Sequence, residues 1–327
     1  MITRLFISLL LLLVLPVARA ADLPGIPEFI HEMVAKHQFK HDELVQVFQE
    51  AKHRQDIIDA MNTPSTLKPW VDYRAIFVNP KRISGGMKFW MMHADTLYRA
   101  EKKYGVQQEI IISIIGVETL YGRHAGNYRT LDALTTLTFD YPRRVTFFRN
   151  ELEQYLLLAR EQGFDMLNIR ASYAGALGIP QFMPSSYRKH AVDFNGDGKI
   201  DLLNDPEDAI GSVANYLKQY GWKAGEPVAV RANVDQSDRP KDIGAARSLP
   251  AWAELGVVPQ TVVEEGLFAY MIDFTVTGGK ENWLAFNNFA VITTYNNSVF
   301  YAMSVYQLAA ELRKARDSYG LIRRAPL

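Results

Sequence analysis

The sequence predicts a mainly α fold (α+β) carrying one small β-rich insert. Apolar residues recur at spacings of three and four along most of the chain, whereas short β-branched and aromatic runs crowd into residues 223–285. Its 327 residues are 48% apolar and 22% charged, a composition that supports about two domains with a real core and excludes a disordered chain. Lys+Arg and Asp+Glu both number 36, so no net field draws the chain to nucleic acid or anionic lipid. With no cysteine, disulfides, thiolate metal sites, thiol nucleophiles and S-linked lipids are excluded as well.

Residues 1–20 read as a secretory signal. Arg4 precedes an apolar stretch from Leu5 to Leu15, Pro16 interrupts it, and Ala18-Arg19-Ala20 fits a small-x-small cleavage site. The stretch is shorter than the ~20 residues that span a bilayer, which argues against an uncleaved anchor helix. Cleavage before Ala21 removes two arginines and leaves a chain of net charge near −2. No other segment is long and apolar enough to span, so the expectation is a periplasmic protein with no membrane anchor after cleavage.

Residues 21–86 form an N-terminal helical region. From Pro27 to about Met61, Phe29, Ile30, Met33 and Val34 share a face, as do Leu44, Val45 and Phe48. The stretch from Asn62 to Gly86, with Pro64, Pro69, Pro80 and Gly85-Gly86, reads as an irregular connection. A core of residues 87–222 follows. Its helices run from Phe89 to Tyr104, Gln107 to Tyr121, Thr146 to Gln162 and Asp208 to Tyr220, each stopped by a glycine. Ala171 to Ser186 is a Gly- and Pro-rich loop within it. Residues 223–285 are the β-rich insert, and residues 286–327 bring helix back from about Tyr301 to Arg316.

Glu118 is an acid in an apolar helix. Ile115, Ile114 and Ile111 stand three, four and seven residues before it and share its face, while Glu109 does not join that stripe. Burial penalises the carboxylate, and the negative helix end does the same, so the pKa should rise. A carboxylic acid kept neutral near pH 7 suits protonation of a leaving-group oxygen. The same pattern also suits a structural glutamate paired with an arginine.

In the loop, Gly175 and Gly178 permit close backbone approach, Pro180 and Pro184 stiffen it, and Gln181 offers the donors and acceptors that sugars require. A packed connector between helices fits equally well. Tyr121, Tyr128, Tyr141, Tyr173, Tyr216, Tyr295 and Tyr301 recur at element ends, where an apolar ring with a polar tip suits a sugar face.

Several of these segments, in order, resemble lysozyme-like lytic transglycosylases, and most closely the lytic murein transglycosylase B family. They are Gly116-Val-Glu118-Thr119-x-Tyr-Gly122, Ser172-Tyr-Ala-Gly-Ala176, Gln181-Phe-Met-Pro-Ser-Ser-Tyr187, Asp193-Phe-Asn-Gly-Asp-Gly198 and Tyr295-Asn296. The resemblance spans nearly the whole mature chain and implies a lysozyme-like catalytic core. It implies cleavage of the β-1,4 bond between N-acetylmuramic acid and N-acetylglucosamine in peptidoglycan, leaving 1,6-anhydromuramoyl ends. Glu118 would be the catalytic acid/base, with Ser172, Gln181, Tyr216, Tyr295, Asn296 and Tyr301 lining the glycan groove. Arg143 and Arg144 match the family's basic pair and would meet a peptide carboxylate or a muramyl lactyl group. Thr119 stands where the wider superfamily has serine. Ile179-Pro180 replaces smaller residues and bears on a sugar subsite.

Ordinary glycosidases flank the bond with two carboxylates, and these motifs hold one. A lone glutamate suffices if the muramic C6 hydroxyl is the nucleophile.

A separate motif fits the first nine positions of an EF-hand, within residues 193–208: oxygen ligands Asp193, Asn195 and Asp197, then Gly198, the Lys199 carbonyl and Asp201. Position 12 is Asn204 rather than glutamate. The resemblance implies a lengthened loop completed by Asp208, with Glu207 as rival, around a structural Ca2+; an ion-free Asp/Gly turn is the alternative. No phosphate loop and no zinc-protease helix occurs, and no organic cofactor is expected. The expected partner is the peptidoglycan glycan strand, with no nucleic acid. Contacts with cell-wall synthesis or division proteins stay open. A hydrolytic muramidase and a non-catalytic peptidoglycan-binding module are the competing readings.

Overall fold

The computed structural model describes residues 23–324 apart from 64–67, 236–239 and 241, so the expected signal segment 1–20 lies outside the described residues. The fold is mainly helical with one small five-stranded sheet, the mainly α class with a β-rich insert that the sequence predicts. Among the described residues no helix is long and apolar enough to cross a membrane.

The N-terminal periodic run resolves into three helices, α1 (Ile26–His37), α2 (His41–Glu50) and α3 (Gln55–Asn62), parted by a left-handed Gln38 and an extended Ala51. The irregular connection expected over 62–86 is corrected: it contains α4 (Trp70–Phe77) and most of α5 (Pro80–Met92). Pro80 starts α5 rather than breaking it, because a proline at the first helical position lacks only an N–H with no intrahelical partner. Asn79 caps that end by accepting from the Arg82 N–H at 3.1 Å. Gly85 and Gly86 lie inside α5 because the Tyr121 ring occupies the space their side chains would take; a Cβ at Gly86 would stand 2.6 Å from the Tyr121 hydroxyl oxygen.

Next come α6 (Ala94–Tyr104), closed by left-handed Gly105, and α7 (Gln108–Thr119). A two-stranded ladder of β1 (Tyr128–Arg129) and β2 (Arg170–Ala171) brackets α8 (Thr130–Asp140), a 3-10 turn Pro142–Arg144 and α9 (Val145–Gln162). Periodicity misses α8 because its core is buried on every side and four of its residues are threonines of modest helix propensity. Then follow α10 (Pro184–His190), which takes up the end of the expected 171–186 loop, and α11 (Pro206–Gln219).

The 223–285 segment folds as an antiparallel sheet in the order β4-β6-β7-β3-β5, with β3 (Ala229–Val234), β4 (Arg247–Ser248), β5 (Val257–Pro259), β6 (Phe268–Val276) and β7 (Gly279–Ala285). The short helix α12 (Leu249–Glu254) lies between β4 and β5. Alternation along β6 and β7 sends Met271 and Leu284 into a local core with Trp252, while Ile272, Phe274 and Trp283 face the main core. Phe274 meets Trp70 of α4 at 4.4 Å there. Finally α13 (Asn287–Tyr295) and α14 (Val299–Arg324) return to the centre.

Two large apolar clusters result. One joins α1–α3 to α8 and α9; the other surrounds α7 with α4–α6, α11, α13 and α14. Between them run the β1–β2 ladder and the 171–183 loop, tied together by Ala171–Leu177 and Leu177–Phe182 bridges.

Candidate active site

Helix α7 is buried all round rather than along a stripe: residues from Gln108 to Val117 are covered on every face, and Glu118 in its last turn is half-buried. The expected face of Ile111, Ile114 and Ile115 is indeed fully covered, but so is the opposite face. Glu109, set aside by its spacing, is buried too and pairs with Arg313 of α14. Glu118 makes no ion pair with any described residue. Its Oε1 instead accepts a hydrogen bond from the Tyr301 hydroxyl at 2.6 Å. Burial pushes the Glu118 carboxyl up from its ordinary 4.5 to about 7, while the Tyr301 hydrogen bond and the Arg82 charge pull the other way. A half-buried carboxyl that exchanges its proton near neutrality can act as acid and then as base.

Tyrosines of α13 and α14 stand beside the carboxyl. Tyr301 is 2% exposed and stacks nearly parallel on Tyr295, 6.4 Å centroid to centroid. Burial raises the phenol pKa of both, and the nearby Glu118 charge adds to it. The Tyr295 hydroxyl donates to the Pro180 carbonyl at 2.5 Å, which holds the 171–183 loop against α13. Behind Tyr295, Tyr216 packs edge-on at 4.9 Å and donates to the Thr294 carbonyl. Tyr216, 6% exposed, thus packs as a support behind Tyr295. Asn296 is exposed at the end of α13.

The loop is built by backbone constraint. Gly178 has φ +67°, and a Cβ there would lie 2.1 Å from the Leu202 carbonyl oxygen, so only glycine fits. Gln181 is also left-handed, and its Nε2 donates to the carbonyls of Ala125 and Gly178 at 3.0 and 2.9 Å. The Ser172 hydroxyl accepts from the N–H groups of Ala174 and Ala176. Thr119 supplies the hydroxyl a serine would: it donates to the Ile179 carbonyl at 2.8 Å and accepts from Gly122 N–H at 2.9 Å. The bulk of Ile179 turns inward beneath Gly122 and joins the main core. Glu118, Ser172, Gln181, Tyr295 and Tyr301 are thus drawn together by α7, this loop, α13 and α14.

Arg143 and Arg144 lie exposed on the 3-10 turn before α9, where Arg144 stands 4.0 Å over the Phe147 ring beside the α1–α3 cluster.

Two neighbours of Glu118, Tyr73 and Arg82, escaped the sequence reading. Burial, with the Glu118 charge adding to it, pushes the phenol of Tyr73 in α4 up to about 12. Arg82 of α5 is half-buried: one nitrogen donates to the Gly116 carbonyl, and Nε donates to Ile76 O at 3.1 Å. Tyr121 lies in a slot formed by Gly85, Gly86 and Gly116 and donates to the Arg82 carbonyl at 2.7 Å. The glycine pair read as a break was the available signal.

In the 193–208 loop Asp193 accepts from Gly196 and Gly198 N–H, Asn195 from Asp197 N–H and Asp197 from Lys199 N–H. Asp208, at 1% exposure, turns both oxygens into the loop, accepting from Phe194 N–H at 2.7 Å and Asp201 N–H at 2.8 Å. Burial raises its carboxyl pKa. Glu207 points away to Arg99 at 2.7 Å. Among the described residues no three His, Asp or Glu side chains converge as a ready metal cluster. The donor set is nonetheless all hard oxygen on two left-handed glycine turns, chemistry suited to Ca2+.

The family model of the transglycosylase SLT domain matches residues 23–310. The chain is 44% identical over 306 residues to membrane-bound lytic murein transglycosylase B of Escherichia coli, covering 90% of this chain and 84% of that one. The crystal structure of soluble lytic transglycosylase SltB1 from Pseudomonas aeruginosa superposes with a TM-score of 0.85 at 47% identity, over 90% of this chain and all of that one. The E. coli lytic transglycosylase Slt35 in complex with calcium gives 0.84 at 43% identity, over 90% and 94%.

Proposed function

The chain belongs to the transglycosylase SLT domain family and is a lytic murein transglycosylase, and from that premise we propose that Glu118 is its single acid/base. The observation that carries this is a carboxyl raised to about 7, held by the Tyr301 hydroxyl and free of any ion pair. Among the described residues, Tyr301 and Arg82 are the side chains that act on its charge and no second carboxylate joins them, unlike the two-carboxylate arrangement of hydrolases.

The protonated Glu118 gives its proton to the glycosidic oxygen as the bond from muramic C1 breaks. Tyr301 and Arg82 then stabilise the carboxylate. That carboxylate takes the proton of the muramic C6 hydroxyl, whose oxygen closes on C1. One C–O bond breaks, one forms, and no water is consumed. The product is a 1,6-anhydromuramoyl end. Ser172, Gln181, Tyr295 and Asn296 border the groove in which the strand lies, with Tyr216 supporting from behind; Arg143 and Arg144 would serve a more distant part of the strand.

We assign the protein to the periplasm, on the strength of the signal-like residues 1–20 and of its substrate. We assign a structural Ca2+ to Asp193, Asn195, Asp197, the Lys199 carbonyl and Asp208, an EF-hand-like site in which Asp208 rather than Glu207 completes the set. Bound there, the ion would neutralise clustered carboxylates and pin the loop to α11. Calorimetry checks it, and no binding at millimolar Ca2+ removes the assignment.

Purified sacculi provide the decisive test of function. The wild type should release muropeptides one water lighter than reducing ends, as mass spectrometry reads, and Glu118→Gln should release none. Reducing products would identify a muramidase. Binding without any product would identify a non-catalytic module, and substantial turnover by the variant would remove Glu118 from its role.

A further inference from the structure

His190, the last residue of α10, is 3% exposed. Its Nδ1 is buried and has no hydrogen-bond partner among the described residues. The ring packs edge-on against Tyr216 at 5.1 Å and tilted against Tyr220 at 5.3 Å, while Asn215 Nδ2 donates to the His190 carbonyl at 2.8 Å. From there a file of rings leads to the acid. Tyr216 meets Tyr295 at 4.9 Å, Tyr295 stacks on Tyr301 at 6.4 Å, and the Tyr301 hydroxyl donates to Glu118. Burial, with the Lys189 charge adding to it, lowers the His190 pKa below its ordinary 6.5. On α11 its titratable neighbours are the phenols of Tyr216 and Tyr220; on α9, Glu151 is held by Ser185 and Glu161 by Arg188, so neither acid is spent on His190. In an imidazolium both ring nitrogens are donors, so a charged His190 would carry an N–H at Nδ1 with no acceptor.

A lone carboxyl gives the rate one limb. Only protonated Glu118 starts the reaction, and the carboxylate that finishes it forms within the same turnover. Activity governed by Glu118 alone therefore falls as pH rises through about 7 and stays level in acid. A fall in acid needs a second group. We propose that His190 is a positioning residue whose neutral ring backs Tyr216 and, through Tyr295, keeps Tyr301 on Glu118, and that its protonation ends activity in acid by loosening this file. The assignment rests on the acid/base reading of Glu118. His190 acts through the rings and not on the sugar.

The test measures initial rates of the full chain on purified sacculi from about pH 4 to about pH 8, with circular dichroism at each pH to show that the chain stays folded. In acid the wild type should lose about tenfold in rate per pH unit, as a single protonation requires. His190→Ala should cost about tenfold or more at every pH. His190→Phe, which returns a ring without a titratable nitrogen, should recover most of that loss and lack the acid limb. The His190 ring protons of the wild type, followed by NMR, need no variant and should titrate at the pH of that limb. The proposal is overturned by an acid limb that survives in His190→Phe, by a wild type that has no acid limb or unfolds where it falls, by His190→Ala at the wild-type rate, or by ring protons that titrate elsewhere. Failure of the acid/base reading shows separately, as turnover by Glu118→Gln.

Discussion

Replacing Glu118 by glutamine tests the buried acid through stability alone, without reference to catalysis. The folded state holds the carboxyl near 7, whereas the unfolded chain holds it near its ordinary 4.5. The folded form therefore binds this proton more tightly, and stability from this group is fully present below about pH 4.5 and lost as pH rises through about 7. The difference corresponds to about 3 kcal/mol above pH 8, of which under 1 kcal/mol has been lost at pH 5. Glutamine is neutral at every pH and still offers Tyr301 an oxygen. Urea unfolding of the two proteins from pH 5 to pH 8 should give stability curves that diverge, with Glu118→Gln gaining about 2 kcal/mol on the wild type across that window. Other groups that titrate in this range, such as His93 and His190, whose pKa values burial lowers, are common to both and cancel. Parallel curves would refute the reasoning, because they would mean the carboxyl titrates alike in both states.

Tyr301→Phe removes the hydroxyl that favours the carboxylate, so the Glu118 pKa should climb further and the alkaline limb of the pH–rate profile on sacculi should move to higher pH; an unmoved limb would remove Tyr301 from this role. Gly178→Ala forces a Cβ to 2.1 Å from a backbone oxygen and should cost well over 2 kcal/mol with loss of activity, whereas Gly196→Ala, with nothing within 4 Å, should cost only about 1 kcal/mol of left-handed strain, both read by urea unfolding. Asp208→Asn leaves a single acceptor oxygen for the Phe194 and Asp201 amides and should both destabilise the protein by about 1–3 kcal/mol and abolish any rise in melting temperature with added Ca2+.

Local pattern made the helices, the sheet segment and the loop legible, because their causes lie within a few residues: a glycine after α6, α9 and α11, alternation along β6 and β7, φ-permissive glycines in 171–183. Two kinds of element were not legible. Helix α8 is covered on most faces and rich in β-branched residues, so it carries no periodic stripe. Helix α5 holds a glycine pair whose meaning depends on a ring supplied by Tyr121, far along the chain.

The same division runs through the active site. An acid in an isoleucine-rich helix flagged Glu118, yet α7 shows why that flag was incomplete: Glu109 is equally an acid in a buried helix, and its spacing seemed less telling. What separates the two is the third dimension. Glu109 meets a guanidinium from α14, whereas Glu118, nine residues later on the same helix, meets a phenol from α14. A guanidinium pairs permanently with a carboxylate; a phenol hydrogen-bonds to it without matching its charge and leaves burial to dominate. Arg82 lies close enough to moderate the Glu118 pKa, but two of its three nitrogens donate to the Gly116 and Ile76 carbonyls and it makes no ion pair with Glu118. One helix thus carries a structural acid and a titratable one, and which is which is decided by α5 and α14, elements that no spacing within α7 can report.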